Sequence, residues 1–190
     1  TIEDDHLVDL ILRTNRLGAK SADLFMYISE AGNEVDLKAE HINQYIRTSS
    51  GEGFTAKNFR TWAATYRCAE RLAFLARPQK AEDMKHWLGK LPDVESINKL
   101  WNEGDWTVPT TQFERNKTML AVIDTVAANL GNTRAVCRSS YIHPWFLNAW
   151  MEERLLGTWS EFESMRRISG LSAGESSTLR VLKHLRKVSL

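Results

Sequence analysis

A chain of 190 residues, 43% of them hydrophobic, is long enough to bury a core as one domain or two small ones. Charges interrupt every apolar stretch before it reaches membrane-spanning length and no basic-then-apolar leader is present, so a cytoplasmic globular protein is expected, with no membrane partner. A net charge of +1 argues against a uniformly basic nucleic-acid binder, and two cysteines, Cys68 and Cys137, are too few for a disulfide scaffold and read as packed free thiols.

Ile2 to Leu17 carries Leu7, Leu10, Ile11 and Leu12 behind an acidic first turn, the pattern of a first helix. "LFMYIS", the turn-like "EAGNE" and "VDLK" predict a short two-stranded hairpin. Lys38 to Thr48 then makes a second helix, closed by the glycines of "SSGEG". The charge changes sign along this stretch. Residues 1–40 hold nine acids against four bases, whereas residues 41–80 hold seven bases against two acids, enough for a local phosphate-binding surface.

"FTAKNFRTWAATYRCAERLAFLARP" gives the clearest helix, with Thr55 as a cap and Pro78 beyond its end. Phe59, Trp62, Tyr66, Ala69, Leu72 and Ala73 are expected to face the core. Lys57, Arg60, Arg67 and Arg71 lie opposite, as a solvated face or a phosphate track. Residues 78–111 hold three tryptophans, Trp87, Trp101 and Trp106, in an acidic setting; they read as an insertion of two short helices whose tryptophans cover the core. A long helix follows from Gln112 to Asn129 and ends at Gly131. Thr133 to Tyr141 is a short helix, and His143-Pro144 opens another running through Trp150 and Leu155. The capping box "SAGE" precedes a last helix with Leu179, Leu182, Leu185 and Val188 inward and Arg180, Lys183 and Lys187 outward. The fold class is mainly α, a single multi-helix domain over residues 1–190 with at most one short β-hairpin.

A tyrosine on a helix is usually structural, but two blocks here change that reading. "FTAKNFRTWAAT" and, later, "LGNTRAVCRSSYIHP" resemble the two signature blocks of the type IB DNA topoisomerases, of the bacterial and poxvirus kind. The run from "ADLFMYISEAGNEVDLK" into the first block and the closing "GLSAGESSTLRVLKHL" are similar to that family as well. The resemblance leaves residues 78–111 uncovered. The resemblance implies that Tyr141 attacks a phosphate of double-stranded DNA, forming a 3′-phosphotyrosine and freeing a 5′ hydroxyl, with later religation and no cofactor or metal. It implies that Arg60 and Asn132, the latter nine residues before the tyrosine, hold the non-bridging oxygens as charge builds. It places Lys57 on a neighbouring phosphate. Arg67, Arg71, Arg134 and Arg138 complete the expected DNA-binding set. A free phenol has a pKa of about 10 and must lose its proton as it attacks, aided by adjacent positive charge.

Two residues depart from the family pattern: Arg134 stands where proline is usual, adding a cation beside the site, and Asn58 stands where aspartate is usual. The family also uses an earlier arginine and a hairpin lysine that this sequence lacks at matching positions, so the chain reads as a C-terminal part whose partner is the N-terminal part of the same enzyme, working as a monomer at the bacterial nucleoid. By itself it is expected to cleave DNA poorly. His6, His41, His86, His143 and His184 are too scattered for a metal site. Two alternatives remain. A tyrosine recombinase shares the arginine–tyrosine logic but usually carries histidine at the positions of Lys57 and Asn132, and a non-catalytic helical DNA-binding module would keep the fold without the chemistry.

Overall fold

The computed structural model describes residues 4–17 and 25–188, and these fall into two compact units, Thr1–Lys57 and Asn58–Leu190. The beginning of the first helix at Ile2 and the beginning of the hairpin segment at Leu24 lie outside the described residues.

The first unit contains α1 (Asp5–Leu17), a hairpin of β1 (Met26–Ile28) and β2 (Glu34–Asp36), and α2 (Ala39–Ser50). The strands pair antiparallel with Tyr27 opposite Val35. Their turn closes through Gly32, whose φ of 77° is the left-handed conformation that glycine adopts without steric cost. His41 Nδ1 accepts the Lys38 backbone N–H at the start of α2, and its ring meets Tyr27 edge-on at 5.4 Å. Burial is sparse. Leu7, Leu10, Leu12, Ile28 and Tyr45 are all exposed, and Met26 is the buried hydrophobic residue among those described in this unit.

The second unit takes in most of α3 (Ala56–Leu75) and α4 (Ala81–Leu88), α5 (Glu95–Asn98), α6 (Gln112–Leu130), α7 (Arg134–Ser140), α8 (Pro144–Met151), α9 (Leu155–Glu163) and α10 (Ala173–Val188). Its core joins Cys68, Leu72 and Leu75 of α3 to Val122, Ile123 and Val126 of α6, Phe146 and Trp150 of α8, Trp159 of α9 and Val181 of α10. The 78–111 segment does form two short helices, and its tryptophans do cover this core. Trp106 is buried with its indole N–H donating to the Leu75 carbonyl at 2.9 Å, and Trp87 stacks on Phe74 at 4.8 Å.

Helix α6 is held sharply at both ends. Thr111 and Glu114 form a capping box at its start, and Gly131 (φ 62°) ends it in the left-handed conformation while the Asn132 N–H turns back to the Ala127 carbonyl at 2.9 Å. The closing helix is likewise capped, by Ser172 and Glu175.

Three sequence expectations need correction. The helix from His143 through Leu155 is two helices, because Glu153 takes φ 62° and breaks the ladder between α8 and α9. Phe59 does not face the core but is 56% exposed. Val188 is exposed too. The inward face of α10 is its small side, Gly174, Ser177, Thr178 and Val181, with Leu182 and Leu185 only partly buried. That face approaches α3 closely: a Cβ added at Gly174 would fall 2.5 Å from the Glu70 carboxyl carbon.

Candidate active site

Tyr141 is the residue on which α7 ends; its backbone (φ −126°, ψ −33°) has left the helix, and Pro144 starts α8 three residues later. The side chain is half-buried against the core at this tight junction. A cleft of about 450 Å³ lies alongside, lined by Thr61, Trp62, Thr65, Ser140, Tyr141 and His143 among others.

Arg60 reaches the tyrosine from α3. Its guanidinium carbon stands 5.4 Å from the centre of the Tyr141 ring, within cation–π range. One guanidinium nitrogen donates to the Leu130 carbonyl at 2.7 Å, a free carbonyl of the last turn of α6, where the helix dipole favours a cation. The fork is therefore anchored at one nitrogen, and its other N–H groups have no hydrogen-bond partner among the described residues.

Asn132 follows two residues after that carbonyl. Its backbone is held in the α6 cap, but its side-chain nitrogen Nδ2 is buried without a hydrogen-bond partner, one of three such atoms among the described residues. A buried amide donor left unpaired costs on the order of 1–3 kcal/mol. Arg60 and Tyr141 are thus brought side by side. Asn132 is tied to them through the short stretch after Leu130, and among the described residues no hydrogen bond joins its side chain to either.

Residues 7–152 match the family model described as eukaryotic DNA topoisomerase I, catalytic core. The chain belongs to the type IB DNA topoisomerase family. The match contains Arg60, Asn132 and Tyr141 and spans the 78–111 segment, while α9 and α10 lie beyond it. No individual curated protein matches the chain. The family is one of isomerases whose substrate is DNA, and among the described residues no helix is long and apolar enough to cross a membrane.

The expected DNA-binding cations of this topoisomerase family member divide into two groups. Lys57, in the first turn of α3, and Arg138, on α7, are exposed. Arg67 is half-buried, its guanidinium 5.7 Å from the Tyr66 ring centre. Arg71 departs from the expected phosphate track. It is 9% exposed, and its two terminal nitrogens donate to Thr125 Oγ1 (2.8 Å) and Asn129 Oδ1 (2.7 Å) of α6. Burial, with the Arg67 charge adding to it, lowers its pKa to about 10, so it stays charged at neutral pH as an internal brace.

Arg134 is also engaged within the protein. Its guanidinium forks onto both carboxylate oxygens of Asp124, which in addition accepts the Ser96 hydroxyl at 2.6 Å. Burial alone would raise the Asp124 pKa, but the Arg134 fork and the Ser96 hydrogen bond outweigh it and hold the carboxyl below its ordinary value. The cation expected beside the site is thereby paired. Ser96 comes from α5, so the 78–111 segment is linked through Asp124 to the first residue of the tyrosine's helix.

Cys137 shares α7 with the tyrosine and is buried. Burial pushes its thiol up to about 11 against the lowering influence of Arg60, so it is protonated at neutral pH and poorly suited to attack. Cys68 is pushed up further by burial, with Cys137 beside it. Sequence reasoning missed Asp124, Thr125 and Asn129 as partners of arginines, and it missed Thr65, which touches the tyrosine's backbone. Nothing local marks them, since each partner lies at least ten residues away in the chain.

Proposed function

We propose that this chain carries the strand-cleaving and strand-rejoining centre of a type IB DNA topoisomerase, with Tyr141 as nucleophile and Arg60 and Asn132 as phosphate-oxygen donors. The Tyr141 phenol gives up its proton as its oxygen attacks phosphorus, the bond to the 5′ oxygen breaks, and that oxygen takes up one proton and leaves as a 5′ hydroxyl, so no net proton is gained or lost. The resulting 3′-phosphotyrosine keeps the ester bond, so the reverse attack by the 5′ hydroxyl reseals the strand without ATP or metal. Between the two steps the cut strand swivels.

The observation that carries this reading is the Arg60 guanidinium poised over the Tyr141 ring, anchored by one nitrogen and with donors to spare. A planar, permanently charged fork suits the growing negative charge of a pentacoordinate phosphorus, and an additional amide donor such as Asn132 Nδ2 suits the same task. Lys57 and Arg138, exposed and positive, suit neighbouring phosphates.

Relaxation of supercoiled plasmid with EDTA and without ATP tests the proposal. With the N-terminal part expected from the sequence supplied alongside, the protein is expected to relax the plasmid and Tyr141→Phe to leave it supercoiled. Wild-type relaxation by Tyr141→Phe would overturn the assignment. Joined products from two DNA molecules, without relaxation, would favour the recombinase alternative instead.

A further inference from the structure

At the α7–α8 junction two backbone groups leave the helical ladder together. The Tyr141 carbonyl lies at the end of α7, and the His143 N–H belongs to the residue that caps α8. Such groups need partners when they lie against a core. Both are satisfied by one side chain: Thr65 Oγ1 donates to the Tyr141 carbonyl at 3.1 Å and accepts from the His143 N–H at 3.1 Å. Thr65 is 3% exposed and sits on α3, five residues after Arg60. One rigid helix therefore holds the tyrosine twice, by its ring through Arg60 and by its backbone through Thr65.

We infer that Thr65 is a positioning residue for the tyrosine: its hydroxyl, clamped between the Tyr141 carbonyl and the His143 amide, sets where the phenol stands when it attacks. This rests on the function proposed above. A nucleophile at a helix end has backbone freedom that a mid-helix residue lacks, and displacement by about 1 Å can cost a reaction as much as 100-fold. Arg60 alone does not remove that freedom, because a cation–π contact tolerates sliding of the ring. Two hydrogen bonds with opposite donor sense do remove it, since they fix the turn in both register and tilt.

Cleavage and religation rate constants at saturating DNA, measured with the expected N-terminal part supplied alongside, together with the DNA Kd and Tm of the protein, separate this role from simple stability. Thr65→Val, nearly equal in shape but lacking both hydrogen bonds, is expected to slow both chemical steps at least about tenfold while leaving Kd within about twofold. Thr65→Ser keeps the hydroxyl and is expected to restore most of the rate. Val181→Ala, a cavity in α10, is the control that lowers Tm without slowing chemistry. Should valine prevent folding, Thr65→Cys, with its weakly hydrogen-bonding thiol, must still show the slower steps. A Thr65→Val protein with wild-type rate constants, or a Thr65→Ser protein as slow as the valine variant, overturns the inference. Activity retained by Tyr141→Phe would sink the underlying function as well, whereas an inactive Tyr141→Phe beside a fully active Thr65→Val sinks this inference alone.

Discussion

Arg60 and Arg71 stand eleven residues apart on the same helix and carry the same charge, yet the structure uses them in opposite ways. Arg71 is buried with both terminal nitrogens satisfied by neutral oxygens of α6. Arg60 is half-buried, spends one nitrogen on the Leu130 carbonyl and lays its plane near Tyr141. A guanidinium whose donors are filled by protein braces the core; one with donors left over can receive an anion. The comparison turns on hydrogen-bond occupancy, not on charge.

Removing each arginine in turn should break the comparison into two different kinds of damage. Arg60→Ala is expected to lower the cleavage rate by on the order of 100- to 1,000-fold, the scale for a lost preorganised donor, with little change in Tm. Arg71→Ala should do the reverse. It opens a cavity and orphans Asn129 Oδ1, costing about 2–4 kcal/mol and lowering Tm by several degrees in thermal melts, while the salt dependence of DNA binding keeps its slope. A shallower salt slope for Arg71→Ala would return it to the phosphate track.

A smaller effect sharpens the same point at Arg134, which is braced by a carboxylate. Asp124→Asn should cost on the order of 1 kcal/mol at neutral pH, discounted because Arg134 is partly exposed. The folded-state pKa of Asp124 lies below its ordinary 3.8, so its contribution is fully present above that value and is lost as pH falls through the lower folded pKa. Urea titrations should therefore show the wild-type advantage at pH 7 shrinking below pH 3.8, and an advantage independent of pH would contradict the pairing.

Much of this architecture was legible in the residues. Helices α3, α6 and α10 announce themselves through periodicity, and Gly131 and Ser172 mark boundaries where φ or capping chemistry leaves few choices. The break at Glu153 was not legible, because a non-glycine residue takes the left-handed conformation there without a glycine or proline to signal it. The division of the arginines was equally hidden. Arg71 reads as part of a basic stripe until Thr125 and Asn129, 54 and 58 positions away, arrive beside it. Thr65 sits in an alanine-rich stretch with nothing local to single it out; only the folded α7–α8 junction gives its hydroxyl two partners. The tyrosine and arginine blocks were recognisable by resemblance, but their mutual approach depends on α3 and α6 packing.

Trapping the reaction with SDS on a DNA strand labelled at either end of the cut tests the central claim most directly. With the expected N-terminal part supplied alongside, a covalent adduct to the fragment ending in a 3′ phosphate, mapped by peptide mass to the Tyr141 phenol and abolished by Tyr141→Phe, is the predicted result. An adduct at another residue, or one that survives in Tyr141→Phe, would contradict the account.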